Sequence, residues 1–417
     1  MDLRKEIKFS DLLSKRGKKE ASAAGEDALP AEKPEKEKRS FSFARKPKEP
    51  KAERKPKPAK SAARPTRHKK LVGLKIGASQ LAAARVVNNG SPELVQLARA
   101  ELEPGIIVGG ELREPDALAE ALKGFFRKHK LPKQGVRLGI ASNRIGVRTF
   151  EIGGIEDPKQ LENAIRFRAQ ETLPIPLEEA VLDYQILGET VDEEGASKSR
   201  VLLVVAYRDL VERYVAACRK AGIKLAGVDL EAFALLRALG ERPAEAGNAA
   251  IVVVTVGHER STLAVSNGDT CEFTRVIEWG GMNLNVAIAR ALDVAPSEAE
   301  PVKHAISLLE PAEAMELDAE RAAKVRTAVH QELQTFAREL VSSLQFYQGQ
   351  PGSLGIAEIV LTGGTAQLPG LDAELGRLIG VRVRVGDPLA RVELGKKVGS
   401  DHAFGSLAVA IGLGIES

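Results

Sequence analysis

What this chain can fold into is constrained most by a near-repeat. LVGLKIGASQLAAARVVNNG, with a strand-end glycine at Gly77, returns about 180 residues later as AAIVVVTVGHERSTLAVSNG, with its glycine at Gly257. In each copy an apolar strand stops at glycine, crosses a small or polar turn and comes back as a second strand. Glycine there lets backbone amides approach a phosphate closely, so two such loops, one per half, can clasp a triphosphate from both sides. Two residues before each glycine, where an acid linked to Mg²⁺ is expected, the chain has Lys75 and Thr255. The same opening meander in both halves implies an internal duplication.

The rest of the body alternates strands and helices. PDALAEALKGFFRKHK is an amphipathic helix with Pro115 near its start, followed by the strand VRLGIASN. DPKQLENAIRFRAQETL is a second helix, with Asp157 as N-cap and Pro158 in the first turn; a PIP break and the strand VLDYQILGE follow. After the second meander come a Gly280-Gly281 turn and a long helical stretch from about Pro311 to Gln348. The strand EIVLTGG, a helix near Pro369, the strand VRVRV and a closing helix FGSLAVAIGLGI end the chain. These boundaries predict two α/β domains over 71–245 and 246–417, the first with an inserted strand-helix-strand module at about 149–190.

Charge separates this body from what precedes it. The first 70 residues hold 23 Lys or Arg against 11 Asp or Glu, and the remainder 38 against 46. Lys, Pro, Glu and Ala alternate irregularly through the tail, which has too few large apolar groups to offset the entropy of folding, so a disordered basic tail over 1–70 is expected. Its start, EIKFSDLLSKR, carries a short apolar cluster of Ile7, Phe9, Leu12 and Leu13, read either as chance or as a docking motif. The tail is expected to be drawn to an anionic membrane surface. With only Phe9, Phe41 and Phe43 as aromatics it has little to stack on bases, so specific nucleic-acid binding is not expected. Cys218 and Cys271 lack metal or disulfide spacing and read as buried thiols, and no apolar run is long enough to span a bilayer. His304, His330 and His402 share no spacing with carboxylates that suggests a metal or a general base.

Five segments, EPGIIVGGELREPDALAEAL, AIRFRAQETLPIPLEEAVLDYQIL, DLEAFALLRAL, ELVSSLQFYQGQ and IVLTGGTAQLPGL, give 71–417 a resemblance in order and spacing to the PilM family, actin-like proteins of type IV pilus assembly related to FtsA. The resemblance implies a duplicated, ribonuclease H-like actin fold with ATP as ligand. In the family the first hairpin holds an Asp, a Gly and small hydroxyl residues around the phosphates. Here Gly77 and Ser79 match and Lys75 replaces the Asp. In the second hairpin Gly257 matches, Thr255 replaces the Asp, and His258 and Glu259 stand at usually small or hydroxyl positions. An ammonium about 4 Å from a divalent cation opposes it by several kcal/mol at an effective dielectric near about 20, so Mg²⁺ is not expected to be held in the usual way. Lys75 could instead pair with phosphate, or face solvent as a strand-end charge.

Glu300 and Lys303, three apart on one helical face, match positions near the ribose and base, though such a pair is also an ordinary surface ion pair. Gly363 and Gly364 match the strand end under the adenine, and a tight turn would also call for glycine there. The resemblance further implies that the inserted module, with Arg166, Arg168 and Glu171, borders a groove for the cytoplasmic peptide of a PilN-like bitopic inner-membrane protein; the same charges would also suit a solvated helix face. The implied protein is a cytoplasmic scaffold at the periphery of the inner membrane, in contact with other platform or motor components and with little or no hydrolysis. An active ATPase or sugar kinase of the same fold is the alternative; it needs an acid to polarise the attacking group, and neither hairpin has one. A filament-forming protein is a further reading that the sequence leaves open.

Overall fold

Both meanders form as their apolar runs and turn glycines dictate, and they form alike. In the computed structural model, which describes residues 69–417 except 154, 156, 173–175, 192–196, 242–246, 310–317, 397, 400–403 and 417, β1 (Lys70–Ile76), β2 (Gln80–Asn89) and β3 (Ser91–Glu101) are antiparallel neighbours. The short β4 (Ile107–Val108) and β5 (Glu111–Leu112) precede α1 (Pro115–Lys128) and β6 (Gln134–Ile140). Helix α1 starts at its proline, has Asp116 in the first turn and Arg127 and Lys128 in the last, and buries Leu118, Leu122, Phe125 and Phe126. All described residues belong to one unit; the expected disordered tail, its apolar cluster and its membrane contact lie outside the described residues.

The inserted module is β7 (Ile145–Gly153), α2 (Pro158–Thr172), β8 (Ala180–Val191) and β9 (Ser197–Tyr207). Its sheet has the order β7-β9-β8, with α2 packed on one face through Leu161, Ile165 and Ala169. The module thus runs beyond the expected 149–190, since its central strand, VLLVVAY, lies past that boundary. A central strand needs apolar groups on the face that meets the helix, and Val201, Leu203 and Val205 supply them.

The chain continues through α3 (Arg208–Lys220), β10 (Lys224–Leu230) and α4 (Glu231–Leu239), then restarts with β11 (Ala250–Val256), β12 (Ser261–Ser266) and β13 (Cys271–Ile277). Helices α5 (Gly281–Leu292), α6 (Pro296–Ala305) and α7 (Ala319–Gln348) follow; Asp318 caps α7 by accepting from the Arg321 N–H at 2.9 Å, and residues 310–317 of the expected long helix lie outside the described residues. Strand β14 (Ile356–Thr362), α8 (Leu371–Ile379), β15 (Arg382–Val385), β16 (Glu393–Leu394) and α9 (Ala408–Gly414) complete the chain.

Register proves the duplication. In one half Lys75 pairs antiparallel with Ala82 and parallel with Gly139; in the other Thr255 pairs antiparallel with Thr262 and parallel with Thr362. The two sheets run β10-β6-β1-β2-β3-β16 and β13-β12-β11-β14-β15. The final strand and helix, expected within 246–417, cross back: β16 joins the first sheet beside β3, and α9 packs between the two halves. Ala410 and Ile411 of α9 meet β2, while Val409 and Leu413 meet α4 and the second sheet. The end of α9 is clamped by Arg137, which donates to the Leu413 and Ile415 carbonyls at 3.1 and 2.8 Å, and by Asn88, which donates to the Gly414 carbonyl at 3.0 Å.

Candidate functional site

The strand ends meet at a cleft between the halves. Gly77 N–H donates to the Gln80 carbonyl at 2.9 Å and Gly257 N–H to the Arg260 carbonyl at 3.0 Å, so each glycine amide closes its own turn. A cavity of about 100 Å³ lies between the turns, lined by Lys75, Gly77, Ser79, Glu231, Thr255 and Gly257 among others. Beside it a groove of about 270 Å³ is lined by Ser79, Gly257, His258, Glu300, Lys303 and Gly364. Six of the seven sequence-selected cleft residues therefore line two adjoining spaces. Gly363 sits behind them with φ +103, where an added Cβ would meet the Val256 carbonyl carbon at 2.8 Å; the tight turn and the close strand packing both require glycine.

Lys75 does not face solvent. Its Nζ lies 3.4 Å from Oε2 of Glu231, with side chains only 15% and 8% exposed. The ammonium thus occupies the cavity as half of an ion pair and neutralises the Glu231 carboxylate. Among the described residues no group of three or more His, Cys, Asp or Glu could hold a metal ion. With the Lys75 ammonium paired to Glu231 in the inner cavity, the residues present do not fit Mg²⁺ in the usual place.

Lys303 is 9% exposed, with Nζ 3.7 Å from Oε1 of Glu300, whose side chain is 47% exposed, so the pair has one buried and one solvent-facing end. Burial lowers the Lys303 pKa, and Glu300 offsets part of that. Burial also lowers His258, with the Lys303 charge adding to the effect. The N-terminus of α5 abuts the second turn: Gly281 N–H donates to the Gly257 carbonyl at 2.9 Å and Met282 N–H to the His258 carbonyl at 2.8 Å. A Cβ at Gly281 would meet Thr365 Oγ1 at 2.6 Å and Lys303 Nζ at 3.4 Å.

Sequence reasoning passed over several residues of this cleft. Glu231, at the first position of α4, and Tyr214 of α3 line the inner cavity, and burial raises the Tyr214 pKa. The acid that directly follows the strand LAGVDL was a usable signal for Glu231. Arg260 had no comparable signal, because its neighbours come from residues some 150 positions earlier.

On the module, Arg166 and Arg168 are exposed on α2, with Phe167 between them 64% exposed. Arg166 Nη2 pairs with Glu162 at 3.0 Å, one helical turn away. Glu171 lies on the same helix, but its side chain is outside the described residues. None of the three lines the cleft. A separate cavity of about 620 Å³ lies where the first half meets the second, lined by Ser142, Asn143, Ile145, Glu278, Trp279 and Glu339 among others.

With this geometry in place, the matches to known proteins decide the family. The model of type IV pilus assembly protein PilM matches residues 73–417. The chain belongs to the PilM family. A solved PilM-PilN type IV pilus biogenesis complex superposes with a TM-score of 0.69 at 28% identity, covering 82% of this chain and 97% of that one. The Escherichia coli K12 cell division protein FtsA is 26% identical over 367 residues, covering 78% of this chain and 85% of FtsA; Bacillus subtilis FtsA is 22% identical over 305 residues, covering 65% and 66%. The actin-like fold expected from the sequence, with its inserted module, is therefore the fold of this PilM-family chain. Among its described residues no helix is long and apolar enough to cross a membrane.

Proposed function

We propose that this protein is a PilM-type scaffold at the cytoplasmic face of a type IV pilus or related secretion assembly, binding the cytoplasmic peptide of a PilN-like membrane protein. The observation that carries the reading is the family match over nearly the whole body together with the likeness to a PilM-PilN complex. The exposed residues Arg166, Phe167 and Arg168 of α2 are the ones we assign to the peptide, since this turn of the helix presents basic groups and an aromatic ring to solvent. Fluorescence polarisation of a labelled N-terminal peptide from a PilN-like protein tests this. Arg166→Glu with Arg168→Glu is expected to weaken binding at least about tenfold, the scale of losing one charge-assisted contact. An equal affinity in that variant, with loss instead on Asn143→Trp in the separate cavity, would move the peptide to that cavity.

We further propose that the cleft takes a nucleotide without Mg²⁺ and barely turns it over. The nucleoside end would lie along Glu300, Lys303 and Gly364 and the phosphates between Ser79 and the two turns, with Lys75 rather than a metal as the cation. Equilibrium dialysis is expected to show ATP binding that is insensitive to Mg²⁺. Hydrolysis should be indistinguishable from a blank, and a Mg²⁺-dependent turnover of even ~0.1 s⁻¹ would overturn this. Lys75→Asp with Thr255→Asp, made together with Glu231→Gln so that no buried carboxylate is left unpaired, is expected to give Mg²⁺-coupled binding.

A further inference from the structure

The second turn reaches across the cleft and grips a glycine hairpin of the first half. Glu259 Oε2 accepts from the Gly109 N–H at 2.9 Å. The Arg260 guanidinium comes so close to Gly110 that a Cβ on that glycine would meet Cζ at 2.6 Å and Nε at 3.0 Å. Gly109 and Gly110 have φ +57 and +71, the left-handed conformation that glycine adopts without cost and that turns their backbone toward the guanidinium. Arg260 is held from the other side by Glu278, 3.4 Å away, and Glu278 accepts from Asn143 Nδ2 of the first half at 2.8 Å. Arg260 Nη1 is buried without a hydrogen-bond partner.

These contacts share one geometry. Two charged side chains from the turn that faces the cleft, Glu259 and Arg260, are both committed to residues 109 and 110 of the opposite half, leaving only the cavity of about 100 Å³ between the turns. We propose that Glu259 and Arg260, seated on the Gly109-Gly110 hairpin, form a clasp that holds the two halves closed in the absence of any ligand. The closed state is then a property of the chain itself, and a ligand enters by opening the clasp. The proposal needs no nucleotide, so it stands or falls separately from the cleft's proposed ligand.

Besides the buried crossing of α9, the halves meet across the cleft at this clasp, and its hold is tested by their separation. Lys123→Cys on α1 and Lys324→Cys on α7, both more than half exposed, take spin labels in the full-length chain. The native Cys218 and Cys271 are buried, with thiols pushed up to about 12 by burial, and stay unlabelled. Pulsed electron-spin distances without ligand are expected to give one narrow population in the labelled parent. Glu259→Ala with Arg260→Ala should raise a second, longer population at least about tenfold, the ratio that follows from losing a charge-assisted hydrogen bond. Glu259→Gln keeps an acceptor for the Gly109 N–H and should remain narrow. An unchanged distribution in the double variant, or identical broadening by Glu259→Gln and Glu259→Ala, would overturn the clasp. If the double variant does not fold, Glu259→Ala alone, a part-exposed change, gives the same reading.

Discussion

Gly412→Ala is expected to destabilise the protein by more than about 3 kcal/mol, enough to lose most soluble material. Helix α9 crosses α4 at this glycine. A Cβ there would meet the Ala234 carbonyl carbon at 2.6 Å and overlap its oxygen, and the obstacle is backbone, which cannot rotate away. Both helices are buried between the halves, so neither can move without opening the clusters around Ala410 and Ile411 on one side and Val409 and Leu413 on the other. Chemical denaturation monitored by circular dichroism measures the loss. Gly124→Ala, in α1 where a Cβ meets none of the described residues, is the control and should fall no more than about 0.5 kcal/mol below the parent. Equal effects at the two glycines would show that the crossing is not the constraint described here.

Lys75→Met is expected to cost about 3 kcal/mol, because it leaves the Glu231 carboxylate buried beside an apolar chain. The cost comes from the abandoned charge and not from a large net value of the pair, since taking two ions out of water offsets most of their attraction. Lys75→Met with Glu231→Gln should therefore recover most of the stability, and the double-mutant cycle should show strong coupling. Additive losses in that cycle would mean that the two side chains do not share one site. The same cycle bears on function: whatever occupies the inner cavity must compete with an ion pair already formed there.

How much of this was legible beforehand depends on the distance over which each feature is decided. The two meanders, the helix starting at Pro115 and the turn glycines Gly77 and Gly257 were legible because short apolar runs, proline geometry and glycine chemistry act within a few residues. The module was harder. Its central strand VLLVVAY follows an acidic loop in sequence but lies between β7 and β8 in space, and strand order is set by which apolar faces α2 can cover. The return of β16 and α9 to the first half was hidden for the same reason.

The sequence by itself determined the duplication, the family and the absence of an acid at positions 75 and 255, since these are matters of residue type and order along the chain. Only the tertiary structure decided what took the acids' place. Lys75 meets Glu231 across more than 150 residues, and Glu259 and Arg260 meet Gly109 and Gly110 across a similar span. Pairings of that kind are fixed by how buried charges find partners once the halves have packed, and nothing in the local pattern around either residue encodes them.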